Sequence, residues 1–387
     1  MSVACLGLRS SRSISSVTGL LRELVAIPSL NPAFCQDRAL SGESRVASFL
    51  AELGRRKGLA VSYQPVEGRR KNLLLTYRPT ERPSYRLLLA PHMDTVVADA
   101  QQLTPLLKNG RLYGRGACDT KGSIASMFDA LVDLIASPDR PKQTEIQLAC
   151  LVDEEHGQMG SRAFAARSKT FDLGIVGEPT SNRVVSSHKG VMWFELRTQG
   201  KAAHGSRPGL GHNAVADMAK AVLYLEEDYR KELTLRPHPV LGPGSINVGT
   251  IAGGKQPNIV PDACSLWADR RLLPGESYAT IARHLLKELK ARGVRVQIHY
   301  RRDAECPALE TDLQLPWVKA LMRQQRQRKA LGVDYFCDAA VIASAGTPCV
   351  VMGPGSIDQA HTVDEWISLA SLEAGRQSLR QFMSQLP

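Results

Sequence analysis

Arg86-Leu-Leu-Leu-Ala90-Pro91-His92-Met93-Asp94-Thr95 decides the fold. A short apolar run closed by proline has the length and composition of a strand buried on both faces, and it delivers a His-x-Asp pair at its carboxyl end. The same construction recurs three times. Ile146-Gln-Leu-Ala-Cys-Leu-Val152 runs into Asp153-Glu154-Glu155-His-Gly157, Leu173-Gly-Ile-Val176 into Gly177-Glu178-Pro-Thr180, and Cys349-Val-Val-Met352 into Gly353-Pro-Gly-Ser-Ile-Asp-Gln-Ala-His361. Between the first two runs, Ile124, Met127, Phe128, Leu131, Leu134 and Ile135 fall on one face of a helix. Gly114-Arg-Gly116-Ala-Cys-Asp119-Thr-Lys-Gly122 leads into it. Strands alternating with helices predict an α/β catalytic domain whose mainly parallel sheet is flanked by helices. Upstream, Val17, Leu20, Leu21, Leu24 and Val25 predict a helix that stops at Ile27-Pro28, and a second helix is expected from Ser44 to Leu53.

The middle of the chain changes character. Val184 to Thr198 alternates like a half-exposed strand, and Asn213 to Tyr229 has a helical period. Strand-like runs follow at Ser245 to Ile251 and Ala263 to Leu272, then a helix from Ser277 to Arg292 and a strand from Val294 to Tyr300. That order is a split βαβ pattern, so 182–302 reads as an inserted α+β, ferredoxin-like domain interrupting a catalytic domain made of 1–181 and 303–387.

Length and composition set outer bounds. With 387 residues, 43% hydrophobic and 22% charged, the chain is a globular protein large enough for two or three domains, which excludes disorder. The formal charge of +11 raises the possibility of an anionic partner, but it is unevenly spread: +8 over 1–90, −3 over 91–181, +9 over 182–302 and −3 over 303–387. Eight cysteines form no C-x-x-C pair and read as buried thiols in the cytoplasm. No stretch has the length and apolarity of a membrane helix. Met1 to Thr18, with six Ser, two Arg and no acid, has a transit-peptide composition, and the alternative is a short end before the first helix.

In an open α/β sheet, ligands bind beyond the carboxyl ends of the strands, which is where every polar loop quoted above lies. Carboxylates gathered in one crevice repel unless a cation is present. His with Asp and Glu, without Cys, suits Zn²⁺, Mn²⁺ or Co²⁺, and the set is large enough for two ions sharing a bridging carboxylate and an activated water. Adjacent Glu154 and Glu155 offer one ligand and one proton acceptor.

The ordered set His92-x-Asp94, Gly114-Arg-Gly-x-x-Asp119-x-Lys-Gly, Asp153-Glu-Glu-x-Gly157, Gly177-Glu-Pro-Thr180, Gly200-x-x-x-His204 and Ala360-His361 resembles the di-zinc exopeptidase and deacylase family, from about residue 16 to the C-terminus. The resemblance implies two divalent ions, most simply Zn²⁺ with Co²⁺ or Mn²⁺ as alternatives. It implies Asp119 as the bridging ligand, His92 and Glu178 on one ion, and Glu155 and His361 on the other. Glu154 would be the general base, and Asp94 would orient His92. The inserted segment would be a lid through which the protein forms a homodimer, with His204 stabilising the oxyanion. Asn258, Arg271 and His188 would bind substrate, Arg271 taking an α-carboxylate in its planar fork. The tail 353–365 and His188-Lys-Gly190 look most like the branch containing acetylornithine deacetylases. Removal of an N-acyl group, in particular N-acetyl, from an α-amino acid is therefore expected. A desuccinylase, dipeptidase or carboxypeptidase is the alternative. His204-Gly-Ser departs from the commoner His-Ser-Ser or His-Ala-Ser, and Thr120 stands where Met or Val is frequent.

Other features have plainer readings. His156, His212, His238, His284 and His299 read as surface or structural residues. Gly249-x-x-x-x-Gly254-Lys255 lacks the Ser or Thr that a phosphate loop needs, since Gln256 follows. Arg323, Arg326, Arg328 and Lys329 read as a solvated helix face. A polyanion-binding protein on a degenerate hydrolase fold is the rival that the net charge suggests. The full ligand set opposes it, so the expected partner is a small N-acyl amino acid or short peptide, with neither nucleic acid nor membrane.

Overall fold

Tyr85–Ala90 is buried from Leu87 onward because it lies inside a six-stranded sheet. The computed structural model describes residues 16–300 and 305–387, so most of the Met1 to Thr18 segment and the expected boundary at 302/303 lie outside the described residues. Across the sheet the strands run Ala60–Glu67, Arg70–Tyr77, Thr144–Cys150, Tyr85–Ala90, Leu173–Val176 and Cys349–Val351. The last four are mutually parallel, and the first two form a hairpin laid antiparallel against Thr144–Cys150. The hairpin escapes the sequence reading because its burial alternates poorly and its polar Lys71-Asn72 interrupts the apolar run. Its turn uses Gly68 at φ +53°.

Helices complete this unit. Val17–Ala26, Lys121–Ile135 and Leu369–Ser384 pack together, while Ser44–Arg56 and Met159–Arg167 pack on the hairpin. The first helix begins at Ser16, whose side chain accepts from the Gly19 N–H, and ends before Pro28 as the sequence predicts. Lys121–Ile135 is buried on almost every side, so even Ser123 and Ser126 are inside, and Ser126 donates to the Leu372 carbonyl. Arg326 to Lys329 lie beyond the end of helix Pro316–Gln324, which corrects the expectation of a single basic helix face. No helix among the described residues is long and apolar enough to cross a membrane.

The chain divides into two compact units, one comprising residues up to Val185 with Asp312–Lys329 and Ala345–Pro387, the other Ser186–Thr311 with Ala330–Ser344. The second unit holds a four-stranded antiparallel sheet in the order Ser245–Gly253, Ala263–Leu272, Gly190–Gln199, Val296–Tyr300. Met192, Phe194, Leu196, Leu266 and Ala268 form its core with Ala214–Leu223 and Tyr278–Ala291, while Trp193 and Arg197 alternate to the opposite face. This grouping differs from the sequence division of 182–302 by starting at Ser186, running on to Thr311 and including Ala330–Ser344. Gly332–Val333 pairs parallel with Ser187–His188, which also pairs with Leu309–Glu310, so a small sheet draws that segment into the second unit.

Candidate metal centre

Four strand ends and the start of helix Lys121–Ile135 converge on one polar cluster in the first unit. His92 Nε2 lies 3.0 Å from Asp119 Oδ1 and 3.9 Å from Glu178 Oε1. On the other side of Asp119, His361 Nε2 lies 3.3 Å from its Oδ2 and 3.1 Å from Glu155 Oε2. Two groups of donors result, His92–Asp119–Glu178 and Asp119–Glu155–His361, each with its ligand atoms within 4.8 Å of one another and both containing Asp119. The His92, Asp119, Glu155 and Glu178 side chains are nearly buried, whereas that of His361 is half exposed.

The electrostatics match a site built for cations. Burial opposes the charged form of His92, but its hydrogen bonds to Asp119 and Asp94 and the nearby Glu178 hold its pKa well above the ordinary value. His361 is pushed up to about 10 by Asp119 and then by Glu155. Burial raises Glu155, with the Asp119 charge adding to it. For Asp119 burial is outweighed by His361 and His92, so its carboxyl stays below the usual range. Both imidazoles are thus shifted toward, and Asp119 away from, the protonated form, as expected where negative charge is concentrated. Imidazole nitrogen and carboxylate oxygen without thiolate suit Zn²⁺, Co²⁺ or Mn²⁺, so the residues present fit two such ions.

The support of this cluster shows what sequence reading missed. His92 Nδ1 lies 3.0 Å from the Asp94 carbonyl and 3.6 Å from the nearest Asp94 carboxylate oxygen, so both groups of Asp94 face the ring. That carboxylate also has other partners. It accepts the N–H groups of Glu154 (3.0 Å) and Glu155 (3.1 Å) and the amide of Asn31 (2.7 Å). Asn31 also donates to Asp153 (3.0 Å), which accepts from Arg70 (2.8 Å) and from the Gly157 N–H (3.0 Å). Arg70 closes the chain on Glu43. Buried Lys121 donates to the Ile27 carbonyl at 2.7 Å, and burial lowers it to about 7. Asn31, Asp153 and Arg70 are ordinary residue types far apart in sequence. The one signal was Asp153, directly before the two glutamates.

The second unit holds the remaining expected residues. His204 forms an antiparallel bridge with Ile259, and the Gly205 N–H donates to the Asn258 carbonyl at 2.7 Å, so the segments carrying His204 and Asn258 lie side by side. A Cβ at position 205 would stand 2.9 Å from the Asn258 carbonyl carbon, which is why glycine occupies this departure from the common motif. The Ser206 N–H donates to His204 Nδ1 at 3.2 Å, and its hydroxyl lies 2.7 Å away. An N–H can only donate, so Nδ1 is an acceptor and the neutral ring carries its proton on Nε2. Arg271 is partly exposed and paired with Asp269 at 3.0 Å, while neighbouring Arg270 is fully buried against Tyr229 and Glu276. His188 is fully buried, donates through Nδ1 to the Lys189 carbonyl at 2.9 Å, and is lowered to about 4 by burial.

A mainly parallel sheet with carboxylates and imidazoles gathered at its strand ends is an α/β fold carrying a candidate site for divalent cations. Residues 88–385 match the model of peptidase family M20/M25/M40, and the chain belongs to that family. It is 33% identical over 94% of its length to an acetylornithine deacetylase of Proteus mirabilis, covering 95% of that protein, and 32% identical over 96% of its length to the acetylornithine deacetylase of Edwardsiella ictaluri, covering 97% of it. Its fold is that of the aminopeptidase PepT of Bacillus cereus (TM-score 0.77, 22% identity, 95% of this chain and 97% of that one). It is also that of a dinuclear metal-binding peptidase of family M20 from Bacillus subtilis (TM-score 0.70, 12% identity, 95% and 96%).

Proposed function

We propose that this protein removes an N-acyl group, N-acetyl in particular, from an α-amino acid, using two divalent ions held by His92, Asp119, Glu155, Glu178 and His361. The observation that carries the reading is the pair of three-donor groups sharing Asp119. When bound, the ions polarise the amide carbonyl and lower the pKa of water so that it can attack. Asp119 would bridge, with His92 and Glu178 on one side and Glu155 and His361 on the other. Glu154, whose backbone is fixed by Asp94, takes the proton from the attacking water and hands it to the leaving amine. His204 donates through Nε2–H to the oxyanion, with Asn258 on the neighbouring bridged segment. Arg271 receives the substrate's α-carboxylate, and His188 supports the substrate region.

The acetyl preference rests on the deacetylase relatives, and a homodimer formed through the second unit goes with it. Cytoplasmic residence is supported by the cysteines, since all seven described ones are free thiols. A panel of N-acetyl and N-succinyl amino acids and dipeptides, assayed under Zn²⁺, Co²⁺ and Mn²⁺, tests the reading. Fastest turnover of an N-acetyl amino acid is expected. Preference for dipeptides or succinyl substrates would move the protein to another branch of its family.

A further inference from the structure

Four residues after His361, the Glu365 side chain is buried and its carboxylate is gripped from four directions. Its Oε1 accepts the N–H groups of Cys118 (2.8 Å) and Asp119 (3.0 Å), and its Oε2 accepts the Gly116 N–H (3.1 Å) and the Arg115 guanidinium (2.7 Å). The Glu365 carbonyl accepts the Gly114 N–H at 3.0 Å. Immediately beyond, Trp366–Ser368 pairs antiparallel with Arg111–Tyr113, so the chain is held in register on both sides of this contact. One carboxylate therefore fastens the loop that ends in Asp119 to the segment that carries His361.

We propose that Glu365 is a positioning residue that sets Asp119 between the two donor groups, and through it the affinity of both cation sites. The inference rests on the two-ion reading above. Both oxygens are saturated by donors, so the isosteric Glu365→Gln must turn an NH₂ toward two of them in either orientation. The loop then shifts, and a shared ligand that moves weakens both sites together.

The test is calorimetric titration of chelator-stripped full-length protein with Zn²⁺, alongside the metal-induced rise in melting temperature and the visible spectrum of the Co²⁺ form. Wild type is expected to take up two equivalents. E365Q should lose at least tenfold affinity at both sites, with a smaller metal-induced rise and an altered Co²⁺ spectrum, whereas H361A should lose one site. Wild-type affinity at both sites in folded E365Q, or loss of one site only, overturns the assignment. If E365Q does not fold, E365D, which keeps the charge on a shorter arm, carries the same test: weakened binding at both sites supports the proposal and unchanged binding overturns it. Wild type that fails to bind two ions would instead refute the two-ion reading itself.

Discussion

At the scale of single residues, Asp119 lies between two imidazoles, both raised above their ordinary pKa. With His92 held well above its ordinary value and His361 at about 10, metal binding near neutral pH must expel protons from both rings. Calorimetry in buffers of different ionisation enthalpy should therefore show proton release, and affinity should fall as pH is lowered. The sign for folding follows from the same shift. A raised His361 pKa stabilises the metal-free fold in full below the unfolded value of about 6.5, and that contribution is lost as pH rises through about 10. Urea unfolding of chelated protein should weaken across that window. Glu154→Ala should abolish turnover while metal content stays the same. Because the Ser206 N–H that donates to His204 Nδ1 survives substitution, Ser206→Ala should keep the His204 proton on Nε2 in ¹⁵N imidazole spectra, and a shift of that proton to Nδ1 would contradict the backbone's role.

At the scale of elements, four of the five clustered donors were legible because they follow apolar runs that read as buried strands. His92, Glu155, Glu178 and His361 read directly as strand-end residues, and the helix after Asp119 reads from its apolar face. What holds them did not read. Asn31, Arg70 and Glu365 are residue types common on surfaces, and they meet their partners only after the chain has closed over 63, 83 and 246 residues respectively. The Arg70 strand belongs to the hairpin whose polar interruption hid it. Arg70→Met would leave the Glu43 and Asp153 carboxylates buried without their cation, at a cost on the order of 3 kcal/mol in unfolding free energy. Denaturant unfolding of the metal-free variant measures this, and a change under about 0.5 kcal/mol, the size expected of a surface substitution, would remove the network's structural role.

At the scale of the whole molecule, the net charge of +11 that suggested a polyanion partner resolves into separate parts. The two net-negative segments hold the five clustered donors, and the strongest excess lies in 182–302, which carries Arg271. Basic surroundings of that kind can raise the local concentration of a carboxylate-bearing substrate. The family assignment supplies amide hydrolysis, and the inserted α+β unit carries His204 and Asn258 on two bridged segments. Metal content and activity measured together test the central claim most directly. Purified protein should carry two equivalents of divalent metal, lose hydrolysis of N-acetyl amino acids on chelation, and regain it when two equivalents are restored. Less than one equivalent of metal, with hydrolysis unchanged by chelation, would contradict the account.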